Sequence, residues 1–317
     1  FMFLPGGSVT GTVDGQGGSD ILNYSKIATP VSINAGTQTA TGTGKFLGLE
    51  SVTGRTAADT LTGANGSNTW KITSKNGGSL NTALAFSSIE NIAGGIATDN
   101  FVLSAAGALT GTVAGGGGMD TLDYAAFVAG VTVDLAAGTA TNIGGGISGI
   151  ENVNGGGGGD KLTGNALTNV LRGNGGSDTI DGGDGNDIVL GGLGGDALIG
   201  GLGRDFVFGG AGADKINGGG GEDIVIGSAT AHDDKTNALL DMLAIWTGLL
   251  SHTNRINALR NTGVENGSVK LNAAAVTDDA AKDTLIGGDP DLDWFWSLGK
   301  GLTADSMVDK KANEQVN

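Results

Sequence analysis

The sequence predicts an all-β solenoid of stacked strands with a short helical insertion near its C-terminus. Three observations predict it. From Gly155 to Ile226, eight nine-residue phrases follow one another without a break, each with Asp or Asn sixth and an aliphatic residue eighth. Residues 1–154 repeat with a period near 100: "TGTVDGQGGSDILNY" (10–24) returns as "TGTVAGGGGMDTLDY" (110–124), and "LESV" (49–52) returns as "IENI" (89–92) and "IENV" (150–153). Beyond residue 228 the composition changes, and "HDDKTNALLDMLAIWTGLLSHTNRINALRN" (232–261) carries apolar residues at helical spacing.

Composition narrows the function classes. Gly is 63 of 317 residues but Pro only 3, which argues against collagen and Pro-rich disorder. There is no Cys, so disulfides and thiol nucleophiles are excluded. The formal charge of −16, without Lys or Arg clusters, argues against nucleic acid as a partner. No apolar run reaches the roughly 18 residues of a transmembrane helix. The start Phe1-Met2-Phe3-Leu4 is too short for a signal peptide and lacks a basic flank. With two histidines, His232 and His252, no HExxH and no GxSxG, no enzyme activity is expected, and both histidines are expected at the surface.

Residues 1–154 are expected to form long-period, degenerate solenoid repeats. "FMFLPGGSVTGTV" from Phe1 aligns with "FVLSAAGALTGTV" from Phe101, so Phe1 is expected to fall inside a unit of a longer chain. In "GQGGSD" (15–20) and "AGGGGMD" (114–120), Asp20 and Asp120 can serve as turn formers or as ligands.

Residues 155–227 are expected to form a roll. Each phrase supplies a three-residue strand centred on its eighth position, and a six-residue glycine-rich turn. Two phrases make one full circuit, so strands alternate between two parallel sheets, and loops on one flank recur every eighteen residues, about 4.8 Å apart. Asp160, Asp178, Asp196 and Asp214 then stack on one flank, and Asn169, Asp187, Asp205 and Asp223 on the other. Bare carboxylates so spaced repel, and glycine turns lose much entropy on ordering. A hard cation taking carboxylate and carbonyl oxygens relieves both problems, and Ca²⁺ suits such flexible oxygen coordination.

The phrases "GGDGNDIVL", "GGLGGDALI", "GGLGRDFVF", "GGAGADKIN" and "GGGGEDIVI" match GGxGxDxUx position for position. This region resembles the RTX (repeats-in-toxin, hemolysin-type) calcium-binding repeat family. The resemblance implies a right-handed parallel β-roll holding several Ca²⁺ ions between turns. Its implied ligands are the sixth-position carboxylates of Asp160, Asp178, Asp187, Asp196, Asp205, Asp214 and Asp223, together with loop carbonyls. Those loops contain Gly183, Gly185, Gly192, Gly194, Gly201, Gly203, Gly210, Gly212, Gly219 and Gly221. "GNALTNVLR" departs from the pattern through Asn169 and two missing glycines. The resemblance also implies type I secretion and folding in external calcium. The upstream residues look like the β-solenoid repeats of very large bacterial surface proteins.

Residues 228–265 are expected to be helical. Positions seven and nine point outward, and on one sheet they form an apolar stripe of Ile188, Leu190, Phe206, Phe208, Ile224 and Ile226. Helices capped by Asp233 or Asp234 are expected to cover it with Leu239, Leu240, Leu243, Trp246, Leu250, Ile256 and Leu259. Residues 266–317 read as two decayed repeats and a C-terminal cap, with Asp283-Thr284-Leu285 at a strand entry and Trp294, Phe295 and Trp296 plugging the last circuit. The expected role is an extracellular structural or surface protein of adhesin, matrix or filament type, self-associating into filaments or arrays. The alternative is a calcium-triggered secretion module of an exoenzyme whose catalytic domain lies upstream.

Overall fold

The computed structural model describes residues 1–265, 268–272, 274–277, 279, 281–288, 293–296, 306–308 and 315–316. The chain divides into two compact units, Phe1–Phe127 with Ala137–Val153, and Val128–Ala136 with Asn154–Asn317. The second unit thus takes a segment from the expected upstream region. The strand Thr132–Asp134 pairs with Lys161–Thr163, and Asp160 Oδ1 accepts the Val131 N–H.

In the second unit strands alternate between two parallel sheets, an arrangement consistent with a β-roll. One contains Lys161–Thr163, Thr179–Asp184, Ala197–Leu202, Lys215–Gly220, Thr284–Gly288 and Ser306–Val308. The other contains Val170–Gly175, Ile188–Leu193, Phe206–Ala211, Ile224–Thr230, Trp294–Trp296 and Gln315–Val316. Register follows the phrase: Val189 faces Val207, and Gly192 faces Gly210. Strands such as Ala197–Leu202 are longer than the expected three residues, because the glycine pair opening each phrase stays extended enough to continue the ladder.

Position eight points inward at every phrase: Leu162, Leu171, Ile180, Val189, Leu198, Val207, Ile216 and Val225 are all buried. Positions seven and nine differ between sheets. Thr179, Ala197, Ile199 and Lys215 are exposed, whereas Ile188, Leu190, Phe206, Phe208, Ile224 and Ile226 are buried beneath the helices α1 (Thr236–Trp246) and α2 (His252–Asn257). Leu239, Met242, Leu243, Trp246, Ile256 and Leu259 share one apolar cluster with that stripe. Covering it removes several large side chains from water, each worth about 1.5–3 kcal/mol.

The helical details correct three expectations. Leu250 is half exposed, because α1 ends at Trp246 and the chain crosses a turn before α2. Neither Asp233 nor Asp234 caps α1; the cap is Lys235, and the Asp233 carboxylate instead accepts the Thr230 N–H at 2.9 Å. His232 is buried, with Nε2 3.0 Å from Lys270 O, and His252 packs against the Trp246 ring, so neither is an ordinary surface histidine. The helices are tied to the last glycine turn through Glu222. Its carbonyl accepts the Trp246 indole N–H at 2.6 Å, and its carboxylate pairs with Arg204 and Arg255.

Trp294 does not plug the roll. Its strand pairs onward with Gln315–Val316, and its ring lies in the apolar cluster under the helices, beside Trp246. The side chains of Phe295 and Trp296, and residues 289–292, lie outside the described residues.

The first unit uses longer steps. Parallel pairs include Ile21–Asn23 with Ser51–Thr53, Thr60–Thr62 with Asn91–Ala93, and Asn100–Leu103 with Thr121–Asp123. Gly77–Leu80 is an antiparallel insertion between Thr69–Ser74 and Leu84–Ser87. The hundred-residue period is visible as contacts: Tyr24 and Tyr124 are both buried, and their hydroxyls donate to Thr41 O and Thr141 O.

Candidate metal centre

The sixth position of each phrase builds a ladder along each flank of the roll. One carboxylate oxygen, Oδ1, accepts the backbone N–H of the sixth-position residue one step earlier. On one flank Asp160, Asp178 and Asp196 donate to Asp178, Asp196 and Asp214 at 2.7–2.8 Å. On the other, Asn169, Asp187 and Asp205 donate to Asp187, Asp205 and Asp223 at 2.7–2.9 Å. The chain therefore brings the expected sixth-position residues into two columns, and it extends both. Asp214 donates to Asp283 and Asp223 to Asp293, across the helical insertion.

The second oxygen carries the chemistry. Oδ2 of Asp178, Asp187, Asp196, Asp205 and Asp214 is buried without a hydrogen-bond partner. An orphaned buried acceptor costs about 1–3 kcal/mol, and more when charged. Each lies over the first glycine of its own phrase, where no Cβ occupies the space. There Asp187 Oδ2 meets Gly200 O, Asp196 Oδ2 meets Gly209 O, and Asp205 Oδ2 meets Gly218 O. A Cβ on Gly182, Gly191 or Gly200 would overlap both oxygens. In this dry cradle the partnerless Oδ2 needs a proton or a cation, and a backbone carbonyl oxygen lies close to the same space.

Burial raises these carboxyl pKa values, and neighbouring carboxylates add to it at Asp178, Asp187 and Asp214. Against the backbone hydrogen bond that opposes the shift, Asp178 is pushed up to about 7, Asp187 and Asp214 to about 8, and Asp205, by burial alone, to about 7. Asp160 and Asp196 are also raised by burial.

Turn conformation decides whether Oδ2 is orphaned. All ten loop glycines singled out above have φ between +97° and +136°. Gly183, Gly192, Gly201, Gly210 and Gly219 occupy the second position, Gly185, Gly194, Gly203, Gly212 and Gly221 the fourth. In the turn of Asp178, Asn174 and Gly176 also have positive φ, +71° and +110°. Other turns differ. The second-position N–H of Arg55, Gly95 and Gly156 donates to Oδ2 of Asp59, Asp99 and Asp160 at 2.6–2.7 Å, and none of these donors has positive φ. Asn169 likewise accepts from Asn165 at 2.7 Å. Asp160 differs from the other expected ligands in that its own turn already gives Oδ2 a partner, because Gly156 keeps its N–H pointed inward.

The donors fit a hard cation. Among the described residues no group of three His, Cys, Asp or Glu side chains converges on one point, so each site offers one carboxylate and must draw its remaining oxygens from backbone carbonyls. That all-oxygen set, with flexible glycine geometry and no nitrogen or sulfur, suits Ca²⁺ rather than Zn²⁺. When bound, calcium supplies a divalent charge that cancels carboxylate repulsion and takes carbonyl oxygens without strict geometry.

Sequence reasoning missed part of the ladder. The sequence left Asp293 open, because "GGDPDLD" carries one extra residue before it, and the structure sets it in the column. In the first unit the glutamates of "LESV", "IENI" and "IENV" extend the same scheme: Glu50, Glu90 and Glu151 accept the N–H of Asp20, Asp59 and Asp120 at 2.7–3.0 Å. Their recurrence about thirty residues after each Asp was the available signal.

The family model of the RTX calcium-binding nonapeptide repeat (4 copies) matches residues 163–198 and again 199–229. These residues are RTX nonapeptide repeats, and such repeats bind calcium ions. No curated protein matches the chain.

Proposed function

We propose that the chain is a calcium-stabilised extracellular repeat protein, a right-handed solenoid in which hard cations close the glycine turns, serving a structural or surface role rather than a catalytic one. The orphaned Oδ2 of Asp178, Asp187, Asp196, Asp205 and Asp214 carries this reading. Once ionised, those oxygens leave the metal-free roll electrostatically frustrated, so folding is coupled to external calcium. Such coupling suits type I export as an unfolded chain.

Among the described residues no helix is long and apolar enough to cross a membrane. Self-association into filaments or arrays belongs to this reading, because the open strand edges of stacked units invite pairing with a further chain. Imaging the native protein with calcium and after chelation tests the reading. Filaments or arrays that dissolve on chelation are expected. Dispersed particles of unchanged shape in both conditions refute it.

A further inference from the structure

One carboxylate outside the matched repeats has the features of the roll aspartates. Asp120 is fully buried, its Oδ1 accepts the Asp99 N–H at 2.7 Å, and its Oδ2 has no hydrogen-bond partner. Its turn, "GGGGMD" (115–120), holds Gly116 at φ +107° and Gly118 at φ +113°, inside or beside the range of the roll glycines. Above Gly115, the space a Cβ would fill is occupied by Asp120 Oδ2 and Gly149 O. The Gly95 carbonyl of the previous step presses against Gly116 in the same way.

The neighbouring step is different in kind. Asp99 satisfies its own Oδ2 through Gly95 N–H, and Asp59 through Arg55 N–H. Where the roll continues from Asp to Asp, the step after Asp120 brings a glutamate: Glu151 Oε2 accepts the Asp120 N–H at 2.8 Å. The charge of Glu151, with that of Asp99, adds to burial in raising the Asp120 carboxyl to about 6. A fully buried carboxylate with an orphaned oxygen is unfavourable unless a proton or a positive charge satisfies it.

We propose that the turn 115–120 holds a single calcium ion in the first unit, bound through Asp120 Oδ2 and the Gly149 carbonyl, with Glu151 as the second negative charge. The inference rests on the calcium reading of the roll and adds a solitary site that interrupts a run of self-satisfied turns. It assigns the first unit a calcium dependence of its own. Asp99, on the adjacent step, and Asp59, whose turn is self-satisfied, hold no ion.

The test is a crystal of the intact wild-type chain grown with terbium in place of calcium. Anomalous density is expected within about 2.6 Å of Asp120 Oδ2 and absent beside Asp99. Density beside Asp187, Asp196 and Asp205 but not Asp120 overturns this inference and leaves the roll reading intact. Density at none of them overturns both. Equilibrium dialysis gives an independent count: Asp120→Asn is expected to bind one calcium ion fewer than wild type, and an unchanged count overturns the proposal. Should Asp120→Asn not fold, Glu151→Gln is read instead. It keeps an acceptor for the Asp120 N–H, and it is expected to weaken one site on the order of tenfold, as loss of a neighbouring charge does. Unchanged affinity at every site counts against the assignment.

Discussion

The turns at Asp99 and Asp187 each carry a sixth-position carboxylate whose Oδ1 accepts a backbone N–H from the step before, yet they solve its chemistry in opposite ways. At Asp99 the backbone folds so that Gly95 N–H closes on Oδ2. At Asp187 Gly183 has positive φ, its N–H does not reach Oδ2, and Oδ2 is left buried without a partner. Sequence periodicity alone does not separate the two, since "GGIATD" and "GGDGND" both open with a glycine pair. The second difference is the fourth position, alanine at 97 and glycine at 185, which permits or forbids the left-handed turn. A self-satisfied turn is finished by its own backbone, and an open turn is finished by its surroundings.

The largest effect that sharpens this contrast is calcium removal. With excess EDTA at pH 8, hydrogen exchange is expected to lose nearly all protection at the amides of Asp178, Asp187 and Asp196, while those of Asp59 and Asn68 stay protected. Each ion held at a thousandfold excess over its dissociation constant contributes about 4 kcal/mol, so losing several exceeds the stability of an ordinary domain. Equal loss in both sets would break the comparison.

Next in size is a pair of glycine substitutions at the fourth position. Gly203→Ala places a methyl against Gly185 O at φ +136° and is expected to cost at least about 2 kcal/mol, read as a lower melting temperature in calcium. Gly66→Ala, in a turn with ordinary φ and nothing within 4 Å of the new atom, is expected to be neutral or stabilising by up to about 1 kcal/mol.

Amide substitutions follow. At pH 8, above the raised pKa of Asp205, Asp205→Asn should raise the thermal stability of the metal-free roll and reduce calcium binding, because it removes an uncompensated buried charge. Asp99→Asn should lower stability by about 1–3 kcal/mol whether or not calcium is present, because Asp99 accepts from Asn68 and Gly95 together. Chemical denaturation of both variants, with and without EDTA, reads the crossover.

The mildest perturbation is pH. Without calcium, Asp178 and Asp205 hold protons to about pH 7 and Asp187 and Asp214 to about pH 8, whereas unfolded carboxyls release them near pH ~3.9. The folded state then binds more protons than the unfolded one across that window. Its stability is fully present below the unfolded value and is lost as pH rises toward 8. Melting in EDTA should move downward from pH 5 to pH 8. With calcium the trend reverses, since ion binding requires the deprotonated acid.

Much of the roll was legible in advance because the phrase is short and nearly exact. The buried column at position eight, the two carboxylate columns and the helices over Phe206 and Phe208 all follow from a fixed nine-residue offset and an apolar stripe that water would not tolerate. What was hidden depended on backbone dihedrals. Asp160 sits in a run of five glycines that satisfies the pattern, yet Gly156 adopts the conformation that donates inward. Lys235 caps α1 because Asp233 has a nearer partner in Thr230. Trp294 reads as an end plug by position, but occupies position seven of a strand that another strand follows.

The carboxylate columns cross the helical insertion without losing register, and this has a kinetic corollary. Within the repeats each ladder bond spans 18 residues, but Asp214 must find Asp283 across 69, and Asp223 must find Asp293 across 70. Closing the longer loop costs roughly 1 kcal/mol more in chain entropy, and it raises the contact order of the last circuits alone. Assembly should therefore proceed quickly through the short-range rungs and pause at Asp214 and Asp223, where two unfilled edges wait for a distant stretch of polypeptide to arrive.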